Sequence, residues 1–166
     1  LLVPQGVSIF DMAGNRLAGE FTAGQVATTD RVAPRVNDIT PLTPTPVNGG
    51  QLQYVVTFSK LVDPATVIPG LFALTTTGTA RGQVLAAQQI ASLPFGYLVT
   101  VGDVGGNGTI RLELPSGSPI ADQAGNRLEN GFDATPLIEV DTLAPRAVTI
   151  TGNNPSPTAA TGVGFI

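Results

Sequence analysis

The sequence predicts an all-β fold, a β-sandwich, and three observations carry that expectation. The chain of 166 residues is 42% apolar but only 12% charged, against roughly 25% charged in ordinary soluble domains. Disorder needs the opposite profile, low hydrophobicity with high charge, so the chain is expected to fold. Its many Thr and Val favour strands, and its 20 Gly and 14 Pro supply the turns between them. Within it, Gln51-Leu-Gln-Tyr-Val-Val-Thr-Phe-Ser59 alternates, with Leu52, Tyr54, Val56 and Phe58 on one face, the period of a half-buried strand.

The elements follow in order. Pro34 to Thr40 opens the sandwich, and Gln51 to Ser59 is its clearest strand. Leu71 to Thr76 reads as the next. Arg81 to Ala91 is ambiguous, because Val84-Leu-Ala-Ala-Gln-Gln suits a helix by propensity. It lacks the amphipathic stripe that an isolated helix needs, and is therefore assigned as a strand. Tyr97 to Val101, Thr109 to Leu114 and Leu137 to Val140 complete the set. Asn107-Gly108 predicts a type I′ hairpin turn. About seven short strands separated by turns fit a sandwich.

A repeat sets the organisation. Asp11-Met-Ala-Gly-Asn-Arg-Leu17 returns as Asp122-Gln-Ala-Gly-Asn-Arg-Leu128, an offset of about 111 residues. The same offset carries Pro4 onto Pro115, Phe21 onto Phe132, Asp30 onto Asp141, and Ala33-Pro34-Arg35 onto Ala144-Pro145-Arg146. About 20 of the 55 overlapping positions are identical without gaps. That period is too long for a solenoid repeat and right for one small domain. The Asp-x-x-Ala-Pro stretches at 30–34 and 141–145 read as short joints stiffened by proline. Residues 31–141 are then one complete unit, 1–30 the last strands of a preceding unit, and 142–166 the first strands of a following one. The partial units leave Leu1, Leu2, Val3 and Ile9, and Val163, Phe165 and Ile166, to be covered by something else.

Several function classes are disfavoured. A net charge of −4 and a pI near 4.5 do not suit phosphate binding, which needs clustered Lys and Arg. Lys60 is the only lysine, beside seven scattered arginines. No apolar run approaches the ~20 residues that span a bilayer, and no signal peptide is visible at Leu1-Leu2-Val3-Pro4. With no Cys and no His, disulfides, thiolate metal sites and a Ser-His-Asp triad are ruled out. No nucleotide-binding fingerprint occurs, and Asp122 with Glu129, an imaginable carboxylate pair, lies in a turn rather than a cleft. The chain is therefore not expected to be an enzyme. A Lys–Asn isopeptide crosslink would have to use Lys60, which is expected instead to be a solvated side chain at a strand end.

At this point the residues resemble a family. Val55-Val-Thr-Phe-Ser-Lys-Leu-Val-Asp-Pro-Ala-Thr66, Phe72-Ala-Leu-Thr, Gly106-Asn-Gly-Thr-Ile-Arg-Leu-Glu-Leu114, Ile120-Ala-Asp-Gln-Ala-Gly-Asn-Arg-Leu128 and Asp141-Thr-Leu-Ala-Pro145 resemble, in that order, bacterial immunoglobulin-like tandem repeats of large adhesins and secreted surface proteins. The resemblance implies a Greek-key sandwich in an extended array. It also implies an extracellular or cell-surface location and a structural or spacer role, with neighbouring repeats or copies as partners. The low charge adds the expectation of a fibre, sheath or layer assembled through β-strand contacts. The alternative is a carbohydrate- or receptor-binding module. Such a module normally exposes clustered aromatics, whereas this chain has no Trp and only Tyr54 and Tyr97, both expected to point inward.

The sharpest local motif is the loop at Asp122 and Asn126, with its copy at Asp11 and Asn15. As a tight turn, Asp caps backbone N–H groups and Gly125-Asn126 accepts the left-handed region. As a site, the same oxygens suit calcium, which related arrays place near domain junctions. Asp30, Asp122, Asn126 and Asp141 are the candidate calcium ligands. Asp103-Val-Gly-Gly-Asn-Gly108 resembles an EF-hand loop only superficially, since Leu114 stands where the closing glutamate is needed. Asn107-Gly-Thr109 is formally a glycosylation sequon, expected to be incidental.

Overall fold

A computed structural model describes residues 8–19, 28–148 and 151. The expectations for Leu1, Leu2, Val3, Val163, Phe165 and Ile166 lie outside the described residues. Ile9 is 46% exposed.

Among the described residues seven strands form: β1 (Val36–Pro41), β2 (Gly50–Phe58), β3 (Ala73–Thr76), β4 (Arg81–Ile90), β5 (Leu93–Gly105), β6 (Asn107–Glu113) and β7 (Ile138–Asp141). Two single-turn 3-10 segments, Pro64–Thr66 and Pro69–Leu71, lie between β2 and β3. The strands make two antiparallel sheets, one ordered β1-β2-β5-β4 and the other β3-β6-β7. The alternation in the sequence becomes the core. In the first sheet Leu52, Tyr54 and Val56 of β2 face Val101, Val99 and Tyr97 of β5, and these six with Phe58 and Ile39 are fully buried. In the second, Ile110 pairs with Ile138 and Leu74 with Leu112. Leu112 and Leu114 are buried as the sequence predicts. Each such side chain contributes roughly 1.5–3 kcal/mol on burial. Phe58 and Tyr97 meet edge to face, their ring centroids 5.7 Å apart.

β4 is a strand, as its missing helical stripe suggests, and it joins β5 by a true hairpin in which Ile90 pairs with Leu93. Asn107-Gly108, in contrast, is no hairpin turn. β5 pairs with β2 and β4, while β6 pairs with β3 and β7, so the chain changes sheets between Gly105 and Asn107. The residue that permits the change is Gly106, at φ +85°. A Cβ there would lie on the Thr79 carbonyl oxygen. Asn107 is then held by Thr79, whose N–H donates to its carbonyl at 2.8 Å and whose Oγ1 accepts its N–H at 2.9 Å. The backbone freedom read at Asn-Gly is used, but for a crossing between sheets.

Candidate functional site

The Asp122 turn is built from the core outward. Ile120 and Leu128 are buried and bonded to each other through Leu128 N–H to Ile120 O at 2.8 Å, which fixes both arms. Between them Gly125 takes φ +85°. Asp122 Oδ1 accepts the N–H groups of Ala124 and Asn126, at 3.0 and 2.9 Å, and Oδ2 accepts the Asn126 amide at 3.0 Å. The Asp11 turn repeats this bond for bond. Its Oδ1 accepts from Ala13 and Asn15, its Oδ2 from the Asn15 amide, and Gly14 again takes φ +85°. Asp capping and a left-handed glycine are as predicted. Asn126 itself has no positive φ, and its contribution comes through the side chain.

Lys60 is the residue that sequence reasoning missed. It stands two residues beyond the end of β2, and its ammonium donates to Asp122 Oδ2 at 2.7 Å, to Val32 O at 2.9 Å and to Asp30 Oδ2 at 2.5 Å. Its side chain is 25% exposed and that of Asp122 is 3% exposed, so it is not the solvated lysine expected. Asn126 adds a bond from its amide to Asp30 O at 3.1 Å. Arg35 forks onto Glu129, Glu129 N–H donates to Pro34 O at 3.0 Å, and Ser59 N–H to Arg35 O at 2.9 Å. Residues 30–35 are thus tied to both β2 and the turn. The Asn126 amide and then Lys60 hold the Asp122 carboxyl well below the usual carboxylate range, against the pull of burial. Lys60 is raised, first by Asp122 and then by Asp30, so both partners stay charged.

The structure brings three of the four candidate ligands, Asp30, Asp122 and Asn126, around one lysine. The donor set does not suit calcium as arranged. A cation already stands between the two carboxylates, and Asn126 turns its NH2, not its carbonyl, toward Asp122 and Asp30. Calcium requires oxygen ligands. Asp141 lies elsewhere. It ends β7 opposite Asn107, and its N–H donates to Val47 O at 2.8 Å. Val47 lies beside the Gly50 end of β2, while Lys60 follows the other end, roughly 30 Å of strand away. Asp141 nonetheless shares a local form with Asp30: Oδ1 of each accepts the N–H two residues on, at 2.9 Å from Leu143 and 3.0 Å from Val32. Among the described residues no cluster of three acidic groups could hold a metal, and no helix is long and apolar enough to cross a membrane. An open hollow of about 560 Å³ adjoins the lysine, lined by Thr28, Leu61 and Phe95 besides Asp30, Lys60 and Asp122.

No protein-family model matches the chain, and no curated protein does. Solved structures similar to it include the N-terminal part of the bacterial S-layer protein SbsC. That match is 24% identical with a TM-score of 0.44, and covers 74% of this chain and 26% of that one. Domains 1–6 of the surface layer protein SbsC match at 26% identity and a TM-score of 0.43, covering 74% of this chain and 15% of theirs. The chain thus spans about a quarter of the first structure's length and less of the second's. Superpositions this loose leave the function to be argued from the chain's own residues.

Proposed function

We propose that this chain is a non-catalytic structural spacer of an extracellular, cell-surface protein, in which immunoglobulin-like sandwiches of about 111 residues follow one another in tandem. The observation that carries this reading is the pair of turns at Asp11 and Asp122. They lie one period apart in sequence and share every hydrogen bond of the Asp and Asn side chains within the turn. The strand order supports it as well. β1-β2-β5-β4 over β3-β6-β7 corresponds to the ABED and CFG sheets of a constant-type immunoglobulin domain, hence to a Greek key. At the joint, Lys60 rather than calcium supplies the positive charge between Asp30 and Asp122.

Neighbouring copies are the proposed partners, in a filament, adhesin stalk or layer. β4 supports this. It is a ten-residue edge strand whose one charged residue is Arg81, with Leu85 46% exposed, and long, uncharged edges invite strand addition. A carbohydrate-binding face gains no support from Tyr54 and Tyr97, which are buried.

The test is to read the parent gene outward from both ends and to probe intact cells with antibody raised against residues 31–141. The expected result is further Asp-x-x-Ala-Pro and Asp-x-x-Ala-Gly-Asn-Arg-Leu motifs at the same spacing, and labelling without permeabilisation. A parent with no further copy, or labelled only after lysis, would overturn the reading.

A further inference from the structure

Asp30 and Asp141 are counterparts one period apart, and the structure gives each a different half of its bonding. Asp141 shows the backbone half. It is the last residue of β7, paired with Asn107 of β6, and its N–H donates to Val47 O at 2.8 Å. Its Oδ1 accepts from Leu143, and among the described residues its Oδ2 accepts no hydrogen bond. Asp30 shows the side-chain half. Oδ1 accepts from Val32 in the same local turn, while Oδ2 and the main-chain carbonyl bond to Lys60 and Asn126 of the unit that follows.

Resting on the tandem reading, we infer that one aspartate belongs to two units at once: its backbone closes the last strand of one sandwich, and its carboxylate is clamped by the lysine after β2 of the next. The joint then contains no free linker. The strand of one unit ends where the salt bridge of the next begins, and the distance between units is set by a single side chain. Charge complementarity supports the docking. Asp122 alone would confront Asp30 with a like charge, and the chain's one lysine lies between them, its ammonium bonded to both carboxylates and to Val32 O. Apolar surface lies at both faces that the joint would bring together. Leu61 and Phe95, 46% and 44% exposed, line the hollow beside Lys60, and Leu137, 54% exposed, lies beside Asp141. The occupant of the hollow is therefore the end of the preceding unit's last strand, represented on its wall by Thr28 and Asp30, the counterparts of Glu139 and Asp141. The same geometry explains why the Asp turn is tied so firmly to the core. Asp122 is the counter-charge that holds Lys60 in place to receive the incoming aspartate.

Backbone relaxation of the whole 166-residue chain tests this. Residues 30–33 are expected to show strand-like order parameters, about 0.85, falling below about 0.6 when the clamp is removed. Asp30→Ala removes both the clamp and the local turn. The double variant Lys60→Met with Asp122→Asn removes the clamp, keeps the turn, and leaves no unpaired charge buried to unfold the domain. Loss of order at 30–33 in both variants, with β2 and β5 amides still protected, is the expected result. If the double variant leaves 30–33 as ordered as before, the local turn and the bond from the Asn126 amide to Asp30 O suffice and the lysine clamp is overturned. The array is decided separately by the parent gene. A tandem parent whose joint is mobile overturns only the clamp, and an ordered joint in a parent with a single unit overturns the shared aspartate.

Discussion

With its side chain 3% exposed, Asp122 is pushed toward its neutral form by burial, and the Asn126 amide and then the Lys60 ammonium outweigh that push. Its folded pKa lies below its unfolded value. The stability it confers is therefore complete above about pH 3.9, the ordinary aspartate value, and is lost as pH falls below that. Lys60, raised in the folded state, contributes at all pH values below its ordinary range and loses that contribution only as pH climbs through the folded value. Melting followed by circular dichroism at pH 7 and pH 3 is expected to separate the wild-type chain from Asp122→Asn by several degrees at pH 7. The gap should shrink at pH 3, where the unfolded chain's carboxylate protonates while the folded one, held well below its ordinary range, stays ionised; an equal gap at both would remove Asp122 from the acid response. A second outcome concerns calcium at the same residues. Binding to the native state alone raises Tm by mass action. With an ammonium already between the carboxylates, millimolar calcium or excess chelator is expected to leave Tm unchanged, and a rise with calcium would restore the metal site. Of this cluster the sequence displayed the Asp and Asn, because their turn is local. It did not display Lys60, whose partners lie 30 and 62 positions away. A lone lysine carries no signal until the sheet brings those partners to it.

Strands were legible where one face is buried and the other wet, as in β2, whose inward residues could be named from alternation alone. β5 runs 13 residues where only Tyr97 to Val101 stood out, because Pro94, Gly96 and Gly102 punctuate it and its neighbours on both sides hold it together regardless. The Asn107-Gly108 turn was misread for a related reason. A residue pattern reports tolerance of positive φ, and that tolerance serves a hairpin or a crossing equally well. Which one forms depends on the partners β6 finds, and those are β3 and β7. Gly106 carries the crossing, so Gly106→Ala should both strain φ and drive a methyl into the Thr79 carbonyl. A cost of about 2–3 kcal/mol in urea unfolding is expected. Leu112→Ala, a plain cavity in the core, should cost about 2–5 kcal/mol. A near-neutral Gly106→Ala would mean that the crossing relaxes and that the glycine is dispensable.

At the scale of the molecule, the two ends of the sandwich and its long open edge give different kinds of contact. The ends carry Lys60 and Asp141 and suit growth along the chain. The edge is β4, whose outer backbone groups have no neighbour in the sheet and whose ten residues include a single charge. Natural sheets protect such edges with lysine, proline, bulges or a covering loop; β4 has neither lysine nor proline, and only the register shifts in its pairing with β5 interrupt it. In a protein so poor in charge an edge guarded by bulges alone is consistent with use as an interface, where copies side by side would pair strands and cover Leu85. Sedimentation of the chain at rising concentration is expected to show self-association. Gln88→Lys, at an exposed position in the second half of the strand, should weaken that association at least tenfold, because pairing would desolvate a charge, while leaving Tm within a degree or two. The same lysine at exposed Gln51 of β2, a strand with neighbours on both sides, should leave association as it is. If both substitutions weaken association equally, the effect is one of net charge and the copies do not meet through β4. If the unsubstituted chain stays monomeric at millimolar concentration, lateral assembly through this edge is refuted.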